Sequence, residues 1–236
     1  MRQLSPSLFS GRHFDCAIII LCVRWYITYK LSYRDLVEMM AERGVGISHT
    51  TVLRWVQRSV PEFEKRRRRY ARLVGTSWRV DETHIRVRGR WTYLYRAVDR
   101  QGLTVDFLLG EHRDIAAAKR FFKRAIEQHG PPMRITLDGC PATHAAVAEL
   151  KQEGVLPCET KIRASKYLNN IVGQDHRRVK QRIYPMLGFK SLANAGATIS
   201  GMELVQKVRE GQFDMAEFKS RAGGRVPQVW EAVLAA

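Results

Sequence analysis

Three runs of alternating apolar and polar residues follow one another between Trp78 and Leu109, and they restrict the fold more than any other feature of the chain. Trp78-Arg79-Val80-Asp81-Glu82-Thr83-His84-Ile85-Arg86-Val87 alternates as a half-buried strand does. Gly89-Arg90 turns the chain, Trp91 to Asp99 gives a second run, Gln101-Gly102 turns it again, and Leu103 to Leu109 gives a third. Connections this short join antiparallel neighbours, so the pattern predicts three consecutive antiparallel strands.

The residues beyond this meander change period. Asp114 caps a helix that runs through Ile126 and ends at Gly130-Pro131-Pro132. Arg134 to Asp138 reads as a short buried strand, about 142–152 as a helix, and Thr160 to Arg163 as another short strand. A long basic helix from Asn169 to about Leu187 follows, then a helix from about Ser191 to Glu210. Three strands, helix, strand, helix, strand, helix is the order of an RNase H-like domain, an α/β fold with a mixed sheet and helices on both faces. That domain is expected over 76–190, with 191–236 as a C-terminal helical extension.

An all-α domain is expected ahead of it, over 1–62. Ile18, Ile19, Leu21, Cys22, Trp25 and Tyr26 recur at helical spacing. Ser32 and Asp35 form a capping-box pattern, and Gly44 closes the helix they open. Ser48 caps a third helix, which Pro61 is expected to stop near Ser59. Helix, Gly-containing turn, helix is the helix-turn-helix pattern, in which the second helix enters the DNA major groove by its N-terminal residues. His49, Thr50, Thr51 and Arg54 are the base-reading candidates and Arg58 a phosphate candidate; an ordinary helical hairpin is the competing interpretation. Residues 63–75, with Lys65-Arg66-Arg67-Arg68-Arg69, read as a basic linker.

Charge separates the function classes. Lys and Arg number 40 against 23 Asp and Glu, a formal net charge of +17. Residues 1–75 carry 14 basic and 6 acidic residues, and 161–190 carry 8 against 1. A folded chain so charged calls for a polyanionic partner, and Lys166, Arg177, Arg178, Lys180 and Arg182 are expected on phosphates. The longest apolar run, Cys16 to Val23, is far short of the ~20 residues that span a bilayer. No signal-peptide pattern opens the chain, so a cytoplasmic location is expected, with no membrane partner. The four cysteines have neither CxxC nor finger spacing, which argues against a zinc finger or a disulfide framework.

Two acids fall where metal chemistry needs them. Asp81 lies inside the first strand and Asp138 ends the fourth, and strand ends bring ligands together in sheets of this type. A carboxylate among apolar strand residues is costly unless paired or metal-bound; a salt bridge to a nearby Arg is the alternative for either alone. His84, His144 and His176 are left unassigned, and Trp78, Trp91, Tyr93 and Tyr95 are expected in the sheet core.

Longer strings then point to a family. Gly11-Arg12-His13-Phe14, Ser32-Tyr33-Arg34-Asp35-Leu36, Arg54-Trp55-Val56-Gln57-Arg58 and Asp81-Glu82-Thr83 are the first of them. Gly89 to Asp99, Asn169-Asn170 with Asp175-His176, and Leu187-Gly188-Phe189-Lys190-Ser191 complete the set. Together they resemble the bacterial DDE transposases of the insertion-sequence-6 family over about residues 11–211. The resemblance implies a DNA transposase that binds the terminal inverted repeats of an insertion sequence, cleaves strands and transfers them to target DNA. It implies a homodimer on double-stranded DNA in the bacterial nucleoid. It also implies a two-metal Mg²⁺ site, open to Mn²⁺, held by Asp81 and Asp138 and by a Glu that 34 intervening residues separate from the second Asp. That position is Gly173, and the family's basic residue seven positions later is Lys180. Asp175 lies two residues on, about 200° around a helix, so it does not replace the missing carboxylate. The implied outcome is impaired cleavage with DNA binding retained; a catalytically dead protein or repressor occupying transposon ends is the alternative.

Overall fold

The computed structural model describes residues 13–67, 71–165 and 170–213, together with Val229, Trp230 and Val233. The chain divides into two compact units, Leu73–Leu192 and the remainder, Met1–Arg72 with Ala193–Ala236. Lys166, Arg68 and Arg69 lie outside the described residues, as do the side chains of Gly173's neighbours 170–175 and of Arg178.

Met1–Arg72 with Ala193–Ala236 is, in its described residues, the helical unit. α1 (Cys16–Thr28) is capped by Asp15, whose side chain accepts from the Ala17 amide at 2.7 Å. α2 (Tyr33–Ala41) starts in the expected capping box between Ser32 and Asp35. Gly44, in the left-handed region at φ 72°, turns the chain, and α3 (His49–Arg67) begins after Ser48, whose hydroxyl accepts from the Thr51 amide at 3.2 Å. Ile20, Val23, Leu36, Val52, Val56 and Val60 are buried between these helices. Pro61 does not stop α3, contrary to the sequence expectation: the helix runs on to Arg67, through the first residues of the expected linker. A helical Pro costs about 3 kcal/mol, but Pro61 faces solvent while Val60 and Phe63 beside it are fully buried. Phe63 packs on Trp230 at 4.3 Å between ring centroids, and Glu62 pairs with Arg66 at 2.6 Å one turn on. Burying that face offsets the lost helix bond. α7 (Leu192–Arg209) belongs to this unit from Ala193 onward. Its Gly201 is the contact point, since a Cβ there would come within 2.6 Å of an Ile27 methyl carbon and 3.3 Å of Val60.

Leu73–Leu192 is the unit that holds the sheet. β1 (Ser77–Val87), β2 (Arg90–Asp99) and β3 (Thr104–Gly110) form the antiparallel meander. α4 (Ile115–His129), β4 (Arg134–Leu137), α5 (Pro141–Gln152), β5 (Lys161–Ala164) and α6 (Asn170–Ile183) follow. The strand order is β3-β2-β1-β4-β5, with β4 parallel to β1 and β5 parallel to β4. This is the mixed RNase H-like sheet that the element order predicts. Trp78, Val80, Tyr95 and Ala97 pack against Phe121, Phe122, Val147 and Leu150 of α4 and α5 to make the core on one face; α6 packs on β1.

Trp78 and Tyr95 are core as expected, but Trp91 is not: it is 59% exposed. The reason is the register. β4 pairs with β1 only from Ser77 to Val80, so the far end of the β1–β2 hairpin, where Arg86 faces Trp91, runs beyond it.

Candidate active site

The parallel pairing of β1 with β4 builds the site. Its last matched pair is Val80 with Leu137. Asp81 and Asp138 are each the next residue, so they emerge on neighbouring strands roughly 5 Å apart at the backbone. Asp81 continues within β1, its side chain 22% exposed, and its Oδ1 accepts from the Glu82 amide at 2.9 Å. Asp138 leaves the sheet at the start of α5, where its Oδ1 accepts from the Cys140 amide at 3.2 Å. Its carbonyl is held by His144 Nε2 at 2.9 Å.

Burial pushes the Asp81 carboxyl up to about 6 from an ordinary 3.8; the nearby Asp138 and Glu82 charges push the same way, against the Glu82 amide and Lys180. Two carboxylates thus share a partly dry edge with one Lys as counter-charge. Such a pair is a hard-oxygen donor set suited to a divalent cation, which takes one or two carboxylates and completes its shell with water and phosphate. Among the described residues no third Asp, Glu, His or Cys joins them in a metal-binding cluster.

α6 closes the other side. His176 is buried, with Nε2 3.7 Å from Asp81 Oδ2. Among the described residues, neither of its ring nitrogens has a hydrogen-bond partner within normal geometry. Burial, then the Arg96 and Lys180 charges, hold its imidazole down at about 3, so it is neutral. Position 173 lies in the early turns of α6, three residues before His176 and seven before Lys180. Residues at these spacings share a helix face.

Glu82 is not a spare metal ligand. Its side chain is 3% exposed and meets Arg113 Nε at 2.6 Å, the Thr143 hydroxyl, and Cys140 Sγ at 3.7 Å. Sequence reasoning missed this pairing, and it missed Arg96 and His176 as neighbours of Asp81. Arg96 carried a signal, since it is the lone charge in the run Tyr93 to Val98, and it stands directly across the strand pair from Asp81. It is buried, with its guanidinium donating to Thr104 Oγ1 at 2.9 Å.

Other expected site residues lie in the helical unit. His49, Thr50, Arg54 and Arg58 are exposed on α3, and Thr51 is half-buried. Ser48 Oγ lies 2.9 Å from both Thr50 Oγ1 and Thr51 Oγ1, tying the helix start together. On α6, Arg177 and Lys180 are exposed, and Arg182 is buried rather than presented to solvent. No helix among the described residues is long and apolar enough to cross a membrane.

The mixed five-stranded sheet, with two carboxylates at neighbouring strand ends, has RNase H-like architecture. A family model of the DDE domain of IS240-type transposases matches residues 75–212. The transposase for insertion sequence-like element IS431mec of Staphylococcus aureus is 38% identical over 197 residues, 84% of this chain and 86% of that protein. The transposase for insertion sequence element IS257 in transposon Tn4003, also of Staphylococcus aureus, matches to the same extent. The catalytic core of HTLV-2 integrase, solved with magnesium, overlaps 57% of this chain and 88% of that one at 16% identity and a TM-score of 0.43. The chain belongs to the DDE transposases of the insertion-sequence-6 family, enzymes that cleave and transfer DNA strands.

Proposed function

We propose that this transposase holds a divalent cation, Mg²⁺ or Mn²⁺, between Asp81 and Asp138, and that its cleavage is impaired as written because position 173 carries no carboxylate. The observation that carries the reading is the next-in-register placement of Asp81 and Asp138 beyond the Val80–Leu137 pair. When bound, the cation supplies charge neutralisation at the scissile phosphate and favours the attacking oxygen. A Glu at 173 would complete a second metal position on the face that carries His176 and Lys180. The neutral His176 and the buried Arg96 keep that face dry, and Lys180 meets the DNA strand. In cleavage, water attacks phosphorus and the P–O3′ bond breaks; the freed 3′-hydroxyl then attacks a target phosphate in the same way.

The DNA partners are the terminal inverted repeats and the target duplex. α3 would read the repeats through His49, Thr50, Thr51 and Arg54, with Arg58 on phosphate. Lys166, Arg177, Arg178 and Lys180 would bind strand phosphates, and a homodimer would hold two ends. Gly173 favours a second reading, a protein that occupies transposon ends without cutting them.

Paired assays separate the two. On terminal-repeat DNA with Mg²⁺ or Mn²⁺, Gly173→Glu is expected to nick roughly 10²-fold faster or more, while both proteins bind the DNA equally. Equal nicking by both proteins would remove the impairment reading. Absence of nicking from both would favour the end-occupying protein.

A further inference from the structure

A groove of about 400 Å³ opens where the β1–β2 hairpin runs past β4 and the end of α6 comes down beside it. Trp91, Tyr184, Leu187, His84, Arg86 and Lys180 are among its lining residues. Trp91 is 59% exposed, Tyr184 84% and Leu187 88%, so the apolar lining faces solvent. The loop keeps it there. Leu187 sits in the left-handed region at φ 53°, which disfavours any residue with a Cβ. Gly188 follows at φ 99°, where a Cβ would come within 2.6 Å of the Arg86 carbonyl oxygen. Phe189 then docks on β1, its amide donating to that same oxygen at 2.9 Å, and is itself buried. A tight loop that anchors Phe189 while holding Leu187 out is a presented surface, since apolar patches on a folded chain usually mark a binding site.

The chemistry of the lining selects the occupant. The Arg86 guanidinium lies over one face of the Trp91 ring, 6.0 Å from its centroid, and the His84 ring meets it edge to face at 5.1 Å. Lys180 adds a second cation, and no Asp or Glu lines the groove among the described residues. An aromatic plate set between cations is what unpaired nucleotides bind: bases stack on the ring while the cations take the phosphates. A second copy of this chain fits poorly, because its +17 charge would meet the cationic rim. Lys180 also ties the groove to the reacting centre, since its charge bears on Asp81. Along β1, Asp81 stands about 10 Å from His84 and about 17 Å from Arg86 at ~3.3 Å per residue, with His84 and Arg86 alternating to the opposite face of the strand where β1 runs past the end of β4. That is about three to five nucleotides of strand.

We propose that this groove receives a base unstacked from the DNA strand that crosses Asp81 and Asp138, with Trp91 as the stacking plate and Arg86 and Lys180 on the flanking phosphates. The inference rests on the proposed reading that DNA occupies the cleft. It adds that the enzyme distinguishes unpaired from paired DNA near its reacting centre.

The test is equilibrium binding by the full chain of two probes, a blunt terminal-repeat duplex and the same duplex with a short single-stranded 3′ overhang. The unmodified protein should prefer the overhang. Trp91→Ala should lose about 5- to 100-fold in affinity for it with blunt-duplex affinity unchanged, and Trp91→Phe should retain the preference. Photocrosslinking of the overhang carrying 5-iodouracil should map to Trp91 or Tyr184. The proposal fails if the overhang is not preferred, or if Trp91→Ala keeps that preference or weakens both probes alike. It also fails if Trp91→Ala instead abolishes self-association without DNA, which would assign the groove to a second copy. An unmodified protein that binds neither probe overturns the underlying DNA reading itself; one that binds the blunt duplex without preferring the overhang overturns only the base-stacking proposal.

Discussion

Asp81 and Glu82 are adjacent residues of one strand, and they meet opposite fates on its two faces. Glu82 turns towards α4 and α5, where Arg113 and Thr143 satisfy it. Asp81 turns towards α6, where it finds a second carboxylate, a neutral imidazole beyond hydrogen-bond reach, and one Lys. A buried carboxylate that is paired contributes to holding elements together; one left beside a like charge costs stability until something cationic arrives. The contrast teaches that the carboxylate with the poorer local surroundings is the better candidate for chemistry, and that this cannot be read from residue type alone.

The largest effect that would test this contrast lies on the Asp81 side. In the Gly173→Glu background, Asp81→Asn should reduce strand nicking by roughly 10³-fold. The same change should leave the metal-free fold no weaker, and on the order of 2 kcal/mol more stable at neutral pH. The sign follows from the raised carboxyl value: folding disfavours the ionised form, and Asn has none. Urea unfolding in EDTA beside the nicking assay checks both halves. If Asp81→Asn unfolds the protein, Asp81 is a structural ion-pair member and the contrast collapses.

The Glu82 side should respond in reverse. Arg113→Ala strips the cation from a carboxylate that is 3% exposed, while Arg113 itself is 46% exposed. The expected loss is about 2 kcal/mol, near the lower end for a hydrogen bond to a charged group because solvent reaches the arginine. Nicking by the folded fraction should change little. A loss of nicking that stability does not account for would mean that Glu82 reaches the reacting edge after all.

The sheet was legible because its cues are local. Alternation from Trp78 to Leu109 and the turn residues between the runs specify a meander. Asp114, Gly130 and Ser32 mark helix ends through backbone chemistry that their own neighbours complete. What was not legible depends on distant packing. Pro61 reads as a stop until Phe63 and Trp230 are seen to bury the face beside it. Trp91 reads as core until the early end of the β1–β4 pairing leaves it uncovered. Of the site, Asp81 and Asp138 were visible from strand order, since one lies in β1 and the other directly follows β4, and the topology makes those strands neighbours. Arg113 on Glu82 was invisible, because Arg113 lies in a loop 31 residues away with no periodic signal.

The smallest predicted effect separates the groups on the Asp81 face by pH. His176 is held down at about 3 against an ordinary 6.5. Below about pH 6.5 the unfolded chain takes up a proton that the folded chain refuses until about 3, so His176 removes stability as pH falls through that window. Asp81 works the other way. The folded carboxyl takes up its proton near 6 and the unfolded one only near 3.8, so Asp81 restores stability as pH falls between those values. In metal-free protein the two contributions oppose each other from about pH 6 to about pH 4, each by at most ~1.4 kcal/mol per pH unit. Asp81→Asn should therefore unmask the His176 loss, and its urea midpoint should fall more steeply with acidity than that of the unmodified protein. His176→Gln should do the reverse, leaving a midpoint that falls less steeply than the unmodified protein's over the same range. Parallel pH profiles for all three proteins would show that Asp81 and His176 do not titrate differently on folding, and the cost of burying these groups on this face of β1 would have no thermodynamic trace.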